Sequence, residues 1–375
     1  MKRVVIIGNA SYNTLSAIRS YGEGKIPIVL IMVADSDPVF VRKSRYLKKQ
    51  YIFIVKSLDD CSEILNSLKN ETFEQTLVTT FDPAAEWVDA REPELSKYFR
   101  TPCRGKQIGK YFHKDEQCKL AVECGLIVPK SAVYHRGDLF PDDIAFPLLT
   151  KPLVSSLGSK SDIHICHDEK KLQQALLEES HCKSFIVQEY IEKEYELNCL
   201  GVRTETECVL AGAIRKRRHW PKITGIASFA NIEKFERYEV DLEGIKKFLE
   251  IVGYFGLFSV EFLHKDGKNY FMEVNFRNDG LVYTSTAAGV NLHASYINKN
   301  TKIDCRKFHP VYMMNTSSDL LHVKNGDLSL KQWLSDFHKT TAFINFNKKD
   351  LMPTFWYYLR KILVKLRIER LFHFY

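Results

Sequence analysis

Residues 256–280, GLFSVEFLHKDGKNYFMEVNFRNDG, decide how the chain folds. Two apolar segments flank the turn sequence KDGK, a pattern that predicts a β-hairpin. Side chains two residues apart on a strand share a face, so Glu273 and Asn275 point to the same side, and strand pairing can bring Glu261 beside them. Three oxygen ligands at one point suit Mg²⁺. The alternative is that these side chains line the solvated face of an edge strand.

Strands and helices alternate through the first hundred residues. Four apolar runs are typical of buried strands, and two segments between them have helical periodicity. Such alternation predicts an α/β domain with a doubly wound parallel sheet. The turn after the first run, GNASYN, contains neither GxGxxG nor a P-loop, so its residues alone do not indicate a nucleotide site. The runs lie at residues 2–7, 26–33, 51–55 and 75–80, and the helical segments at 14–21 and 61–69.

The alternation breaks near residues 101–110, TPCRGKQIGK, where a second unit begins. This half mixes helices with strands that are close in sequence, which predicts an α+β arrangement. The predicted helices are 114–125, 170–179 and 242–253, and the predicted strands before the hairpin are 147–152, 184–190, 196–202 and 208–215.

The composition is that of an ordinary globular protein. Of the 375 residues, 45% are apolar and 27% are charged. Nine cysteines occur singly, without a CxxC pair, and the N-terminus resembles a strand more than an export signal; both features predict reduced thiols and a cytoplasmic location. No run of about 18 apolar residues predicts a membrane-spanning helix.

The net charge of +8 is concentrated near the end of the chain. From Lys348 onward there are seven Lys and Arg against Asp350 and Glu369, an excess of five positive charges (7 − 2). The rest of the protein is only mildly basic, so a nucleic-acid partner is not expected.

Two lysines and a loop predict an anion site. Lys114 begins a helix, and Lys151 ends the buried strand FPLLTKP, where an unpaired ammonium group is costly unless it meets an anion. A lysine that reaches solvent from the strand end is the alternative. The loop 155–160, SSLGSK, contains Ser156 and Gly158, and its small residues let backbone N–H groups approach phosphates.

The segment FIVQEYIEKEYELN, residues 185–198, offers a second kind of contact. A buried strand runs into four residues whose backbone can face the edge of an adenine ring. Glu196 follows and can bind ribose hydroxyls; the alternative is a charge on an edge strand. The four residues are Gln188, Glu189, Tyr190 and Ile191.

Taken in order, these motifs closely resemble the ATP-grasp superfamily. They are Lys114 before a helix that leads into GLIVP, then PLLTKP with its loop, IVQEYI with the following Glu196, and VEF…FMEVNFR. The resemblance spans residues 110–300, about half of the chain. It extends to the domain that precedes the ATP-grasp fold in this family, through the motifs Gly8–Leu15, Arg19-Ser20, Ser44-Arg45-Tyr46 and LVTTFD ending at Asp82.

The resemblance implies a division of the chain into four parts. Residues 1–105 would form the preceding Rossmann-like domain, 106–190 the small subdomain that covers the nucleotide, and 191–305 the large subdomain with the metal site. Residues 306–375 would be a C-terminal extension. The expected architecture is therefore a doubly wound parallel-sheet domain followed by a two-subdomain ATP-grasp fold.

The resemblance also implies roles for single residues. ATP and two Mg²⁺ ions, or Mn²⁺ in their place, are the expected cofactors. The phosphate contacts would be Lys114, Lys151, Ser156 and Gly158, the adenine contacts Gln188, Glu189, Tyr190 and Ile191, the ribose contact Glu196, the metal ligands Glu261, Glu273 and Asn275, and the arginine at the transferred phosphate Arg277. This sequence departs from the family in three places: the loop SSLGSK has one glycine, EKEYE has none, and NFR replaces the usual NPR, as in some D-aspartate-ligase-like and carbamoyl-phosphate-synthase-like members.

The activity implied is ligation of a carboxylate to an amine, or to a thiol, through an acyl phosphate. In similar ligases a basic stretch faces the acyl phosphate, and here residues 214–225, IRKRRHWPKITG, occupy that place. Arg217 and Arg215 alternate on one strand face and join Arg277 as catalytic candidates; a solvated basic loop is the alternative. The competing functions are phosphorylation of a small carboxylate, as in carbamoyl-phosphate synthase, and ATP binding without turnover by a membrane-peripheral protein.

The tail, residues 353–375, has helical spacing of apolar residues among basic ones. Phe355, Leu359, Ile362 and Leu366 fall on one side, a pattern typical of a helix on a membrane surface. Packing on its own domain or in a homodimer is the alternative. Membrane contact would favour an acceptor from cell-envelope biosynthesis and a place at the inner face of the cytoplasmic membrane, whereas the remaining expected partners are small carboxylate and amine substrates.

Overall fold

The computed structural model describes residues 2–34, 39–69, 72–141, 143–152, 163–178, 183–222, 225–298 and 303–365. The first hundred residues form a four-stranded sheet of order β3-β2-β1-β4, in which each neighbouring pair is parallel. The predicted doubly wound sheet is therefore confirmed. Its elements are β1 (Lys2–Gly8), α1 (Tyr12–Glu23), β2 (Ile28–Val33), α2 (Val39–Arg42), β3 (Ile52–Val55), α3 (Cys61–Leu68), β4 (Glu74–Thr79), α4 (Asp82–Ala90) and α5 (Glu92–Leu95).

Strand β1 is apolar on both sides because helices cover both faces of the sheet. Val4 and Ile6 pack in one core with Ile18 of α1. Val5 and Ile7 point the other way, into a core built with α3 and α4. A parallel sheet covered on both faces requires such a continuous apolar run.

The small subdomain is an antiparallel sheet of order β5-β8-β6-β7. Leu148, Phe185 and Val187 pack against Leu172 to form its own core. Helix α6 precedes this sheet and carries Lys114 at its first turn. The elements are α6 (Lys114–Glu123), β5 (Ser131–His135), β6 (Leu148–Pro152), β7 (His164–Cys166), α7 (Glu169–Glu178) and β8 (Ser184–Glu189).

The large subdomain is built on a seven-stranded sheet of order β13-β12-β9-β10-β11-β14-β15. Three of these strands, β11, β14 and β15, were not predicted. Strands β14 and β15 lie within the expected C-terminal extension, yet they pair onto β11 at the edge of this sheet. The elements are β9 (Tyr195–Arg203), β10 (Cys208–Trp220), β11 (Ile226–Glu233), α8 (Leu242–Val252), β12 (Gly256–Lys265), β13 (Lys268–Asn275), α9 (Tyr283–Ala287), α10 (Leu292–Ile297), β14 (Val311–Met314), α11 (Thr316–Lys324), α12 (Leu330–Lys339), β15 (Thr340–Phe343) and α13 (Leu351–Lys365).

Helix α13 returns to the N-terminal domain. The ring of Tyr357 lies 5.8 Å from those of Tyr12 and Phe40. The Nζ of Lys43, the residue after α2, lies 5.0 Å from the centre of the Trp356 ring. Among the residues that the structure describes, no helix is both long enough and apolar enough to cross a bilayer.

A buried ion pair fixes this return. Arg19 Nε donates to Asp350 Oδ2 at 3.2 Å, and the two side chains are 1% and 0% exposed. The same carboxylate accepts from Ser44 Oγ and from the Arg45 N–H, both at 2.9 Å. Burial lowers the pKa of Arg19, and the charge of Asp350 opposes that shift. The C-terminal segment is thus held to the first domain by three donors on one carboxylate.

Replacing Asp350 by Ala is expected to lower the free energy of unfolding by about 3–5 kcal/mol, because it leaves the buried Arg19 guanidinium without its counter-charge. Urea unfolding followed by circular dichroism measures the change. Lys349→Ala is the control, since its pair with Glu23 is formed by a lysine 67% exposed and should be worth less than about 1 kcal/mol. Equal urea midpoints for Asp350→Ala and Lys349→Ala would contradict the stabilising role of the buried ion pair between Arg19 and Asp350.

Candidate functional site

A cleft of about 910 Å³ opens where the three parts of the chain meet. The N-terminal domain contributes residues of α1 and α4, the small subdomain contributes β6 to β8, and the large sheet contributes β9, β10, β12 and β13. Among the residues on its wall are Tyr12, Asp82, Lys114, Gln188, Glu196, Lys216, Glu261, Glu273, Asn275 and Arg277.

The hairpin β12–β13 places its polar side chains as predicted. Glu261 lies opposite Glu273 and Ser259 opposite Asn275 in the antiparallel register. Asn275 Nδ2 donates to Ser259 Oγ at 3.3 Å, and its Oδ1 accepts from Arg277 Nη2 at 3.0 Å. The pairing of the two acids across the strands is confirmed, whereas their binding of a metal stays a prediction.

Each acid is neutralised by a lysine. Lys114 Nζ lies 2.5 Å from Glu273 Oε2, and Lys216 Nζ lies 2.9 Å from Glu261 Oε2. Burial raises the pKa of Glu273, but Lys114, Arg277 and Lys216 outweigh it, so the pKa is lowered. Burial raises the pKa of Glu261 above its usual value, and Lys216 opposes this shift only in part. The acids therefore differ in their electrostatic environment.

The donor set fits a magnesium ion that shares its ligands with phosphates. Within the described ranges, no three His, Cys, Asp or Glu side chains are grouped so as to hold a metal ion by themselves. Glu261 and Glu273 are 26% and 24% exposed, so both carboxylates face the cleft, with the amide oxygen of Asn275 nearby. Mg²⁺ is commonly held by one or two carboxylates together with water and substrate phosphates.

Lys151 lies near Lys114 and lacks such neutralisation. Its Nζ contacts Gln188 Oε1 at 3.4 Å, and no carboxylate of the described residues forms an ion pair with it. Burial lowers its pKa, and the charge of Lys114 lowers it further. An anion bound between these two lysines would relieve both effects. The predicted loop residues Ser156 and Gly158 lie outside the described residues.

The four predicted hinge residues line the cleft beside an apolar wall. The Glu189 N–H donates to the Lys130 carbonyl at 2.8 Å, and the Tyr190 N–H donates to the Pro147 carbonyl at 3.0 Å. Ile191 is 4% exposed. The segment is thus fixed on both sides by neighbouring backbone. Its residues are Gln188, Glu189, Tyr190 and Ile191, and the apolar wall is formed by Leu149, Leu263 and Met272.

Glu196 lies in the same cleft within a cluster of cations. It pairs with Lys193 and with Lys216, the latter at 2.9 Å, and His219 Nε2 lies 3.2 Å from its Oε2. Burial raises the pKa of Glu196, but His219, Lys216 and Lys193 lower it strongly overall. Glu196 therefore stays ionised, and Lys216 bridges it to Glu261.

The structure does not bring Arg215 and Arg217 to these carboxylates. Arg215 stacks over the ring of Tyr195 at 4.1 Å, and Arg217 Nε donates to Asn231 Oδ1 at 2.6 Å. Both contacts lie on the face of the sheet opposite Lys216. The expected alternation of the two arginines holds, and their contact with an acyl phosphate stays a prediction.

Lys216 is the residue that the sequence reasoning missed. It is paired with Glu196 across β9 and β10, so the two side chains share the cleft face. A β-bulge follows it, between Lys216 and Arg218. Arg217 is exposed, whereas Arg218 pairs with the buried acids Asp319 and Asp336. The alternation of side chains along β10 does not tell which face of the sheet Lys216 occupies. Its register with β9 places it on the cleft face.

Arg277 ties the N-terminal domain to the metal-ligand candidates. Its Nε and Nη2 donate to the two carboxylate oxygens of Asp82 at 2.6 and 3.2 Å, and Nη2 also donates to Asn275. Arg277 is thus oriented by an acid from the helix that follows β4. The motif ending at Asp82 and the motif ending at Arg277 meet at one point.

Comparison with known proteins agrees with this arrangement. The chain matches no model of a known protein family. A formate-dependent phosphoribosylglycinamide formyltransferase of Sulfurovum sp. (strain NBC37-1) is 28% identical over 146 residues, 36% of this chain and 35% of that protein. The match therefore spans about a third of the curated relative's length.

Solved structures match over most of the chain. An N5-carboxyaminoimidazole synthetase from Staphylococcus aureus aligns with a TM-score of 0.65 at 15% identity, covering 87% of this chain and 86% of that one. An L-amino acid ligase from Bacillus licheniformis gives 0.59 at 14% identity, covering 83% and 79%. The biotin carboxylase domain of Hydrogenobacter thermophilus 2-oxoglutarate carboxylase, in complex with MgADP, gives 0.62 at 16% identity, covering 83% and 73%. The chain has an ATP-grasp fold. The resemblance drawn from the sequence motifs is confirmed at the level of the fold.

In this ATP-grasp fold the turn after Arg277 is held by a buried polar cluster. Asn278 Nδ2 donates to the Asn13 carbonyl at 2.8 Å and to Ser16 Oγ at 3.1 Å. Its Oδ1 lies 2.6 Å from His293 Nε2, so this ring nitrogen carries the proton. Burial lowers the pKa of His293 to about 3. The cluster fixes the loop that continues into Asp279.

This buried histidine makes stability depend on pH. In the unfolded chain a histidine takes up a proton near pH 6.5, whereas folded His293 does not until the pH nears its pKa of about 3. The unfolded state therefore binds more protons between these values. Stability contributed by neutral His293 is present above about pH 6.5 and is lost, by up to about 1.4 kcal/mol per pH unit, as the pH falls below it.

His293→Gln removes this titration and keeps a donor for Asn278. The unfolding free energy of the wild type minus that of the variant is expected to decrease as the pH is lowered from about 6.5 to 4. Urea titrations at several pH values measure it, with His135→Gln on the exposed β5 strand as the control. A difference that stays constant with pH would contradict the buried neutral state.

Proposed function

We propose that this protein is an ATP-dependent ligase that joins a carboxylate to an amine through an acyl phosphate. One observation carries the proposal: the acids Glu261 and Glu273, paired across the hairpin, face the same cleft as Lys114. Lys151, which has no carboxylate partner among the described residues, contacts Gln188 on the wall of that cleft. Paired acids and basic residues in one cleft suit a metal-bound triphosphate, because the acids hold the ions and the lysines contact the phosphates.

Each part of the cleft has a role in this function. Lys114 and Lys151 would neutralise the phosphates, and the hinge from Gln188 to Ile191 would receive the adenine ring. Glu196 would bind the ribose. Glu261, Glu273 and Asn275 would hold Mg²⁺, which, when bound, withdraws negative charge from the phosphate oxygens. Arg277, oriented by Asp82, would contact the phosphoryl group that is transferred.

The reaction needs positioning more than an acid–base set. A substrate carboxylate oxygen forms a bond to the γ-phosphorus of ATP as the bond to the β-phosphate oxygen breaks, and ADP leaves. The amine nitrogen then forms a bond to the carbonyl carbon as the carbon–oxygen bond to phosphate breaks, and a proton is released. Fixed cations supply this positioning and charge neutralisation. Lys216 lies beside Glu196 and Glu261 in the cleft, and the contact of Arg217 and Arg215 with the acyl phosphate stays a prediction.

The similar proteins support ligation over simple nucleotide binding. Their names describe an L-amino acid ligase, a carboxyaminoimidazole synthetase and a formyltransferase that depends on formate. Amino-acid, carbonate and formate carboxylates are all small acids. We therefore expect a small carboxylate here, with an amine as the second substrate and a thiol as its alternative.

Glu273→Gln tests the function. With ATP, Mg²⁺, hydroxylamine and a panel of amino acids and acidic sugars, the wild type should form a hydroxamate and release ADP. The variant should be slower by at least about 100-fold, because even residues outside the metal's ligands commonly cost roughly 10- to 100-fold. Glu243→Gln on the exposed side of α8 is the charge-matched control.

Three results would separate the competing functions. ADP release at the wild-type rate by Glu273→Gln would reject the proposed metal site. Tight ATP binding without carboxylate-dependent ADP release would favour a protein that binds ATP without turnover. Phosphate transfer to a carboxylate with no amine product would favour the carbamoyl-phosphate-synthase-like alternative.

We further propose that α13 contacts a membrane surface. Its outer side carries an apolar stripe at helical spacing, formed by Leu351, Phe355, Tyr358 and Ile362, with exposures of 40–55%. Its other side packs on the N-terminal domain through Trp356 and Tyr357. The described part of α13 therefore packs on the N-terminal domain with one side and leaves the apolar stripe exposed on the other. The predicted Leu366 and the rest of the tail lie outside the described residues.

Charge favours an anionic bilayer over a second copy of the chain. Lys348, Lys349, Arg360 and Lys361 are exposed in the same segment of the chain as the stripe. The single acid between residues 348 and 365, Asp350, is buried against Arg19. A symmetric dimer through this face would bring the same basic residues together. A homodimer through another surface stays a prediction, and an envelope acceptor used at the inner face of the cytoplasmic membrane follows only if the bilayer contact holds.

Phe355→Glu is expected to reduce binding to phosphatidylglycerol-containing vesicles by at least about tenfold, because burying one aromatic side chain is worth roughly 1.5–3 kcal/mol. Vesicle sedimentation measures it, and binding should weaken as salt rises. Leu177→Glu, at a 74% exposed site in the small subdomain, is the control. Equal pelleting of both variants would remove the membrane proposal.

A further inference from the structure

The floor of the cleft contains an acid, Asp279, whose charge helps to raise the pKa of Arg277 although the two side chains form no ion pair. Asp279 is 8% exposed and lines the cleft two residues after Arg277. Its carboxylate accepts from three neutral donors, the Leu281 N–H at 2.7 Å, Ser259 Oγ at 3.2 Å and Asn198 Nδ2 at 3.3 Å. Throughout the described ranges, no Lys, Arg or His side chain forms an ion pair with it.

A second polar group beside it also lacks a partner. Asn198 is 1% exposed, lines the same cleft, and its Oδ1 accepts no hydrogen bond. The orientation of this amide is fixed by chemistry, because exchanging Oδ1 and Nδ2 would turn an oxygen toward the Asp279 carboxylate. A buried acceptor without a donor costs free energy. A donor brought by a ligand would remove that cost.

The lysines and the arginine that line the cleft are each paired with a carboxylate, unlike Lys151 behind Gln188. Lys114 is paired with Glu273, Lys216 with Glu196 and Glu261, and Arg277 with Asp82. This leaves an excess of acceptors at the N-terminal-domain end of the cleft. Exposed Glu86 adds a further negative charge at its rim. This end of the cleft therefore attracts cations rather than carboxylates.

We infer that Asp279 and Asn198 bind the protonated amine of the second substrate, so that the protein selects a primary amine carrying a positive charge. The inference rests on the proposed ligase function and assigns its acceptor class. Asp279 supplies the counter-charge, and Asn198 Oδ1 supplies a second acceptor. The bound ammonium group loses one proton to water before its nitrogen attacks the acyl carbon, and amide formation releases the second. The neighbouring Arg277 lies two residues away, so an amine held here is next to the group proposed to contact the transferred phosphate.

Asp279→Asn separates amine binding from carboxylate activation. Hydroxylamine is largely uncharged at neutral pH, so it does not need the negative charge of Asp279. The hydroxamate it forms therefore reports acyl-phosphate formation alone. Ammonium chloride and the proteinogenic amino acids, each amino acid compared with its N-acetyl derivative, serve as the amine probes. The variant should raise KM for the amine by about 10- to 100-fold, as expected for losing a hydrogen bond to a charged group. Its kcat and its hydroxamate formation should stay within about twofold of the wild type.

Two further variants make the test specific. Glu192→Gln removes the same charge from the opposite, exposed end of the cleft and should leave KM for the amine unchanged. Asn198→Leu keeps the Asp279 carboxylate and its hydrogen bonds from Leu281 and Ser259, but removes the one that Asn198 donates. It should raise this KM by about 3- to 10-fold, in line with the loss of a neutral hydrogen bond. The Asn198 variant decides the question if Asp279→Asn does not fold.

The outcomes distinguish this inference from the proposed function. If the wild type forms no hydroxamate with any carboxylate, both are rejected. If it forms hydroxamates but accepts no amine probe, or if KM for the amine is unchanged in the Asp279 and Asn198 variants, the inference alone is rejected. Equal loss of hydroxamate formation and amine ligation in Asp279→Asn would make Asp279 a structural residue and would also overturn it.

Discussion

The pairing of two acids across one hairpin constrains the whole site. Glu261 and Glu273 lie side by side in a partly enclosed cleft, where their repulsion must be balanced by nearby cations. Lys114 arrives from the helix that begins the small subdomain, and Lys216 arrives from a strand at the centre of the large sheet. Each neutralising lysine therefore comes from a different element. The charges of the two carboxylates are balanced only when the small and large subdomains bring both lysines to the hairpin.

The N-terminal domain takes part in the same balance. Asp82 follows β4 and holds Arg277 with two hydrogen bonds, while Asn278 holds the backbone of Asn13. This domain has no glycine-rich nucleotide motif of its own, and its contribution to the cleft is to orient residues of the large subdomain. Residues that follow strands of its parallel sheet therefore line the cleft.

Much of this arrangement follows from local sequence. The hairpin was predictable because two apolar runs flank KDGK, and strand parity then placed Glu273 and Asn275 on one face. The parallel sheet was predictable because both faces of β1 are apolar. The order of the motifs gave the ATP-grasp resemblance, which the fold of the solved structures confirms.

The rest of the site and of the sheet depends on contacts between distant segments, which the sequence of one segment does not reveal. Lys216 faces the acids because of its register with β9, whereas Arg217, the next residue along the strand, contacts Asn231 on the other face. Strands β14 and β15 are only four residues long and gain their stability from the edge of an existing sheet, so their own periodicity is too short to predict them. The cleft role of Asp279 becomes visible only through its partners, Ser259 and Asn198, which are distant in sequence.

The ion pair between Arg19 and Asp350 also has a consequence for how the chain is made. A ribosome releases the N-terminal domain first, and domains can begin to fold as they emerge. Arg19 then stays hydrated, because burying its guanidinium before Asp350 appears would leave a charge without a partner. The first domain therefore cannot reach its final packing until nearly the whole described chain has left the exit tunnel. A segment made later thus completes the packing of a domain made earlier.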